Sequence, residues 1–362
     1  IDEGQAALSG SPDPVIGAMI ETCRQFTGIY LFGWSAERAA AFHAALPTLL
    51  SITDPRIRSR ISMMEAAILC LSADFPAACE KADEARRASR KAGVFFEYFA
   101  ATLFLHWAYI HRGDLGASLR VANEDGELAL RNGSPLPRLW LTVRAGWSKM
   151  EAFQFDEPLA MYERYAATPG LLDHRHNFPM LLWLGQARLG AGHLDGAWEA
   201  HDRLHQAVSE GGYPFQIVCP LANHRAECAL ARKDIQQARD LAAYLVQTAG
   251  EHHEWSYLAR GHRLLAELDL RAGDLASAGE HVSHAQAALE KCEAWTVEWL
   301  VYATASRVFA QSGREAESTA ARERALRAAH RVAVTLAGEP ELRESFLARV
   351  ARDLPAVRAT ST

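Results

Sequence analysis

The chain carries almost none of the signatures by which catalysis is read from a sequence. It has no GxxxxGK[ST] loop to cradle phosphates, no GxGxxG, no HExxH and no GxSxG. Its six cysteines, Cys23, Cys70, Cys79, Cys219, Cys228 and Cys292, form no CxxC pair and no regular framework. They read as reduced core residues of a cytoplasmic protein. Strand signals are scarce, and β-branched clusters such as Phe215-Gln216-Ile217-Val218 sit between Pro214 and Pro220 and read as a helix entry. No apolar stretch reaches about 18 residues, which argues against a spanning helix, and no segment has the make-up of a secretory signal. Basic excess is missing too: a net charge of −6 argues against a general polyanion-binding surface, so no direct nucleic-acid contact is expected. Lysine is rare, five among 38 basic residues, a bias that points to GC-rich bacterial coding sequence. Neither a cofactor nor a metal is expected.

What is present is a repeat. Gly273-Asp274-Leu275-Ala276-Ser277-Ala278 breaks an apolar-periodic run and restarts it. Gly192-His193-Leu194-Asp195-Gly196-Ala197 and Gly113-Asp114-Leu115-Gly116-Ala117-Ser118 do the same, with weaker copies around Asp74, Asp234 and Glu315. Taking the small residue that closes each turn at 78, 118, 160, 197, 238, 278 and 318 gives steps of 40, 42, 37, 41, 40 and 40 residues. One further step back lands at Ala39. A fixed period of this length means stacked repeats. Each unit reads as helix, tight turn, helix: Pro179 to Gly190 shows apolar residues at helical spacing, and Gly192 stands where a glycine ends a helix. The small residue is needed because two antiparallel helices approach closely there. The predicted fold is all-α, a right-handed superhelix (α-solenoid) of about eight helical hairpins with a C-terminal capping helix from Pro340 to Arg352. The expected domain layout is a flexible linker over 1–14, the repeat superhelix over 15–352 and a disordered tail over 353–362. The Ile1 start and the linker-like opening suggest a fragment of a longer protein. The 49% apolar content suffices for a continuous core.

The unit resembles the tetratricopeptide repeat. Leu184-Gly185 and Leu265-Ala266 match its Leu-Gly or Leu-Ala pair, Tyr109 its aromatic, and the Gly-Asp turns its corner, although a period near 40 marks elongated copies. The eight hairpins and the run Leu336-Ala337-Gly338-Glu339-Pro340-Glu341-Leu342 also resemble the helical-repeat sensor region of bacterial signal-transduction ATPases and LuxR-type large regulators, of the maltose-regulon-activator kind. That resemblance implies a sensing or scaffold arm, with ATP hydrolysis and output supplied elsewhere.

Scattered titratable residues support no mechanism. His201 and His205, spaced i,i+4, read as a surface pair, since zinc wants three or four ligands. Glu251-His252-His253-Glu254 and His174/His176 read as solvated connectors. Arg322, Arg324, Arg327 and Arg331, interleaved with Glu315, Glu317 and Glu323, read as a solvated helix face. Most of the nine tryptophans read as inter-repeat packing, with Trp107 and Trp183 nearest the inner face.

The concave surface of such hairpins comes from first-helix positions 18, 15 and 11 residues before the small residue. Counting back gives Pro220, Asn223 and Glu227, then Arg260, Arg263 and Glu267, then Leu300, Ala303 and Arg307, with Lys149, Gln186 and Trp107 at the matching place in earlier repeats. These predict a mixed-charge groove for a peptide, a protein segment or a small inducer, with Arg263 and Arg307 taking acidic groups. The chain is expected to be no enzyme. The alternatives are an assembly scaffold that self-associates and, less favoured, an enzyme with a groove active site.

Overall fold

The computed structural model describes residues 13–173, 177, 179–211 and 215–354. The expectations for residues 1–12 and 355–362, and for His174 and His176, lie outside the described residues. Among those described there are seventeen α-helices and no strand. Sixteen pair as consecutive hairpins: α1 (Pro14–Phe32) with α2 (Ala36–Leu50), α3 (Pro55–Leu71) with α4 (Phe75–Ala92), α5 (Phe95–Arg112) with α6 (Leu115–Arg131), and α7 (Pro135–Glu151) with α8 (Asp156–Ala166). The series continues with α9 (Met180–Gly190) and α10 (Leu194–Ser209), α11 (Val218–Ala231) and α12 (Ile235–Glu251), α13 (Trp255–Ala272) and α14 (Leu275–Leu289), then α15 (Trp295–Gln311) and α16 (Glu315–Thr335). A last helix, α17 (Pro340–Asp353), closes the stack. Phe215–Ile217 forms a single 3-10 turn leading directly into α11. This is the right-handed solenoid of eight hairpins with a cap.

The same chemistry makes seven of the eight hairpin corners. A residue at positive φ ends the first helix, Ala73, Gly113, Phe153, Gly192, Lys233, Gly273 and Gly313 in turn. The next backbone N–H then reaches back five residues to a carbonyl: Asp114 to Tyr109 at 2.9 Å, Asp234 to Ala229 at 2.9 Å, Asp274 to Asp269 at 3.0 Å. This pairing satisfies carbonyls that the helix end leaves open. In four corners the next residue is an aspartate that caps the second helix, as Asp114 does by accepting from Ala117 N–H at 3.0 Å and Asp274 from Ser277 N–H at 3.1 Å.

Two columns of small residues let the paired helices meet. Five residues after five of these positive-φ positions stand Ala78, Ser118, Ala197, Ala238 and Ala278, all buried, while Ser318 is half-buried. Twelve residues before Ala78, Ala197, Ala238 and Ala278 stand Ala66, Gly185, Ala226 and Ala266, also buried; before Ser118 that place holds the larger, buried His106, and buried Gly146 stands twelve before Pro158. A Cβ on Gly185 would lie 2.2 Å from His201 Nε2, and one on Gly146 would lie 2.7 Å from the Tyr162 hydroxyl. This geometry corrects the fourth repeat. Phe153 carries the positive φ, and Gln154 N–H bonds to Lys149 carbonyl at 3.1 Å, so the column residue is buried Pro158 and not Ala160, which is exposed. The steps become 40, 40, 39, 41, 40 and 40. His201 is corrected too: it is no surface residue but fully buried in the space Gly185 leaves, its Nε2 3.2 Å from Leu182 carbonyl. Of the arginines of α16, Arg324, Arg327 and Arg331 are exposed, Arg324 pairing with Glu298 at 3.1 Å and Arg327 with Glu323 at 3.6 Å, but Arg322 is half-buried and donates to the Leu354 carbonyl at 3.1 Å.

The coil winds tightly enough for hairpins five apart to touch. In the first pair in contact, the Gln216 amide donates to the Tyr30 hydroxyl at 2.8 Å, and Trp34 packs on His253 with ring centres 4.4 Å apart. The connector at 251–254 is therefore an internal joint, not a free loop, and Glu254 is buried. In the second, the Gly116 N–H donates to Thr335 Oγ1 at 3.3 Å, and Arg112 pairs with Glu293 at 3.0 Å while stacking on Trp295. A third joint brings Phe153 against Trp299 and Phe346, so that α17 turns inward beneath the coil.

Candidate functional site

This winding divides the concave surface. Toward hairpins three and four it is filled by an aromatic plug. His111 packs between Trp107, Trp147 and Tyr257 at centroid distances of 5.8, 5.5 and 5.6 Å, and Trp147 meets Trp183 at 5.9 Å. Burial pulls the His111 imidazole down to about 3, aided by Arg260 and Arg144, so it is neutral at physiological pH. Arg144 lies 5.6 and 5.7 Å from the Trp147 and Trp183 rings, and burial pulls it down to about 10.

Beyond the plug lies a cavity of about 1020 Å³, walled by the first helices of hairpins four to eight and floored by α17. Eight of the twelve sequence-derived positions line it: Gln186, Glu227, Arg260, Arg263, Glu267, Leu300, Ala303 and Arg307. They come together because α9, α11, α13 and α15 present successive repeats of one register. Carboxylates and guanidiniums alternate around the wall. Arg260 pairs with Glu151 at 3.4 Å, Arg263 with Glu227 at 3.1 Å, and Arg307 with Glu267, which also accepts from the Thr304 hydroxyl at 2.7 Å. Burial opposes the charge on Glu267, but Arg307 and Arg263 outweigh it and hold the carboxyl below its ordinary value. Burial likewise opposes Arg260, and Glu151, Tyr257 and Glu227 overcome it and raise its pKa. At Arg263 burial wins and the pKa falls. Arg263 Nε, Gln186 Oε1 and His224 Nδ1 are buried without a hydrogen-bond partner. Burial, with Arg260 nearby, takes His224 down to about 3.

The other four lie elsewhere, Pro220 buried within α11. Asn223 is buried one turn from Glu227, with both amide atoms unpartnered. Trp107 belongs to the plug. Lys149 faces a shallow outer depression of about 270 Å³ between α6, α7 and α8, where it pairs with Glu157 at 2.5 Å. In the corrected fourth repeat the inner position falls on Trp147. Sequence counting also missed Glu151, Arg271, Arg349, Arg352 and Asp353, which line the cavity. The first two stand one helical turn beyond the counted positions, and the others ride on α17, whose inward turn no repeat pattern encodes.

At the start of α13 the buried Glu254 carboxyl is raised by burial to about 8. Folded and unfolded chains then differ by one bound proton between about pH 4.5 and 8, so this group's contribution falls by about 1.4 kcal/mol per pH unit across that window. Glu254→Gln should therefore be more stable than the parent near pH 7.5, with the gap closing toward pH 4.5. Urea denaturation at several pH values checks this, and a gap independent of pH contradicts it.

No family model matches the chain, and no curated protein does. Solved structures do. The chain is similar to a Rap protein complexed with competence and sporulation factor, at 14% identity over 92% of each chain, with a TM-score of 0.65. It is also similar to the apo form of the quorum sensor NprR from B. thuringiensis, at 15% identity over 90% of this chain and 91% of that one, with a TM-score of 0.54. The fold is a tetratricopeptide-like helical-repeat solenoid. Identities this low carry the likeness no further than the fold.

Proposed function

We propose that the chain is a regulatory binding module whose cavity takes a short peptide bearing carboxylates. The observation that carries this reading is the lining. Six arginines face four carboxylates there, an excess of two positive charges in a chain whose net charge is −6. Arginine presents a planar fork that matches a carboxylate in bidentate fashion. A volume of about 1020 Å³ lies at the upper end of the range for small-ligand sites, room for a short peptide rather than a folded partner. Arg349 and Arg352 share Asp353 at 2.6 and 3.5 Å, while Arg263, Gln186 and His224 offer buried polar atoms without a hydrogen-bond partner. Two fold neighbours support a signalling role, one solved with a bound factor and the other a quorum sensor. The finer form of the reading, a sensor arm of a larger bacterial signalling ATPase or LuxR-type regulator, rests on the repeat number and the C-terminal run. We read the cavity as non-catalytic. Glu227 and Glu267 are committed to arginines, and the buried His224 is neutral rather than an imidazolium at neutral pH.

The test is a panel of fluorescein-labelled hexapeptides, acid-rich, neutral and base-rich, titrated against the purified chain by fluorescence anisotropy. Acid-rich members should bind best. Arg263→Glu and Arg307→Glu should each weaken them about tenfold or more, equivalent to about 1.4 kcal/mol, with the far-ultraviolet spectrum retained. Equal binding of base-rich peptides, or unchanged affinity in both variants, places the site elsewhere.

A further inference from the structure

The seventh hairpin carries a second constellation. His262 sits on α13, and His281 and His284 sit on α14 at a spacing of i,i+3, which puts both on one helix face. At about 100° per residue, His262 stands about 160° around α13 from Arg260 and about 180° from Arg271, and it does not line the cavity. The trio is therefore independent of whatever the cavity holds. One ring nitrogen from each histidine lies within 4.8 Å of the other two. His262 Nδ1 and His281 Nδ1 are 3.1 Å apart. Two nitrogens bound to one tetrahedral zinc at 2.0–2.1 Å are separated by about 3.3–3.4 Å, so this pair already spans nearly one edge of such a polyhedron. The ring of His284 is exposed and its centre is 5.0 Å from that of His262, so a turn about its own side-chain torsions brings it in.

A second observation points the same way. The other nitrogen of His281, Nε2, faces Asp269 Oδ2 at 3.7 Å. Asp269 is buried, its Oδ1 paired with Arg239 at 2.7 Å, while Oδ2 has no hydrogen-bond partner. A carboxylate behind a ligating imidazole fixes its tautomer and raises its basicity, the arrangement found behind metal-bound histidines.

We propose that His262, His281 and His284 form a three-histidine site for a divalent transition metal, zinc foremost, backed by Asp269. Imidazole suits zinc, copper and nickel, and three ligands leave a fourth position for water or an incoming group. The ion bridges α13 to α14 on the outer face and so braces, from behind, the helix that carries Arg260, Arg263 and Glu267.

The experiment uses the untagged full chain, stripped of metal and titrated with zinc against a chromophoric chelator. The expected result is one ion per chain, with a Kd in the micromolar range or tighter, and a thermal midpoint that rises with zinc because only the folded chain presents the site. His284→Ala, at an exposed position that should not disturb folding, weakens zinc at least a hundredfold and abolishes the thermal shift. Asp269→Asn weakens it about tenfold. If His284→Ala and His281→Ala bind zinc as the parent does, or if the parent binds none, the trio is only a pair of imidazoles sharing a hydrogen bond and the proposal falls.

Discussion

Gly116→Leu should open the coil without melting its hairpins. A Cβ at this position would lie 1.8 Å from the backbone oxygen of Thr335 and 2.8 Å from its carbon. These are main-chain atoms of α16, so no side-chain rotation relieves the clash. The contact joins residues 219 apart in sequence, and each hairpin keeps its own neighbours when it breaks. The cost should be at least the about 1–3 kcal/mol of ordinary overpacking. Small-angle scattering should show a larger radius of gyration with helix content unchanged. An unchanged radius would mean that hairpins three and eight are not in contact in solution.

Ala278→Leu should be comparably damaging, and for a local reason. Ala278 is fully buried where α14 crosses α13, opposite Ala266, also fully buried. Three more carbons there force the helices apart, costing about 1–3 kcal/mol or more. The paired control is Ala160→Leu, at an exposed position, which should stay within about 0.5 kcal/mol of the parent. Denaturation midpoints of the two variants check both the packing and the corrected position of the fourth repeat. Equal midpoints would contradict it.

The hairpins were legible because the corners share one backbone solution: a residue at positive φ, followed in four of them by an aspartate whose oxygen caps the next helix. Gly273-Asp274 and Gly113-Asp114 state that solution in two letters. Phe153-Gln154 does not, because an aromatic there adopts positive φ under tertiary packing against Trp299 and Phe346. The neighbouring alanine at 160 then attracts the count and carries Lys149 into the groove in place of Trp147. Periodicity also defined which face of each first helix points inward, which is why Arg263, Glu267 and Arg307 share one wall. It could not reveal that the coil meets itself five hairpins later. That closure depends on the superhelical pitch, summed over many small inter-helix angles, and it turns an open groove into a plug and a cavity. The buried state of His201 and Glu254 follows from the same long-range geometry. The histidine trio escaped notice because 19 residues separate His262 from His281 and only the hairpin brings them together.

The central claim is that a ligand enters the inner cavity and not the outer face. Amide hydrogen exchange, with and without the tightest acid-rich hexapeptide, tests it most directly. The account predicts added protection in α9, α11, α13, α15 and α17, whose residues line the cavity, and little change in α10, α12, α14 and α16. Protection confined to those second helices, or to the outer depression around Lys149, would contradict it.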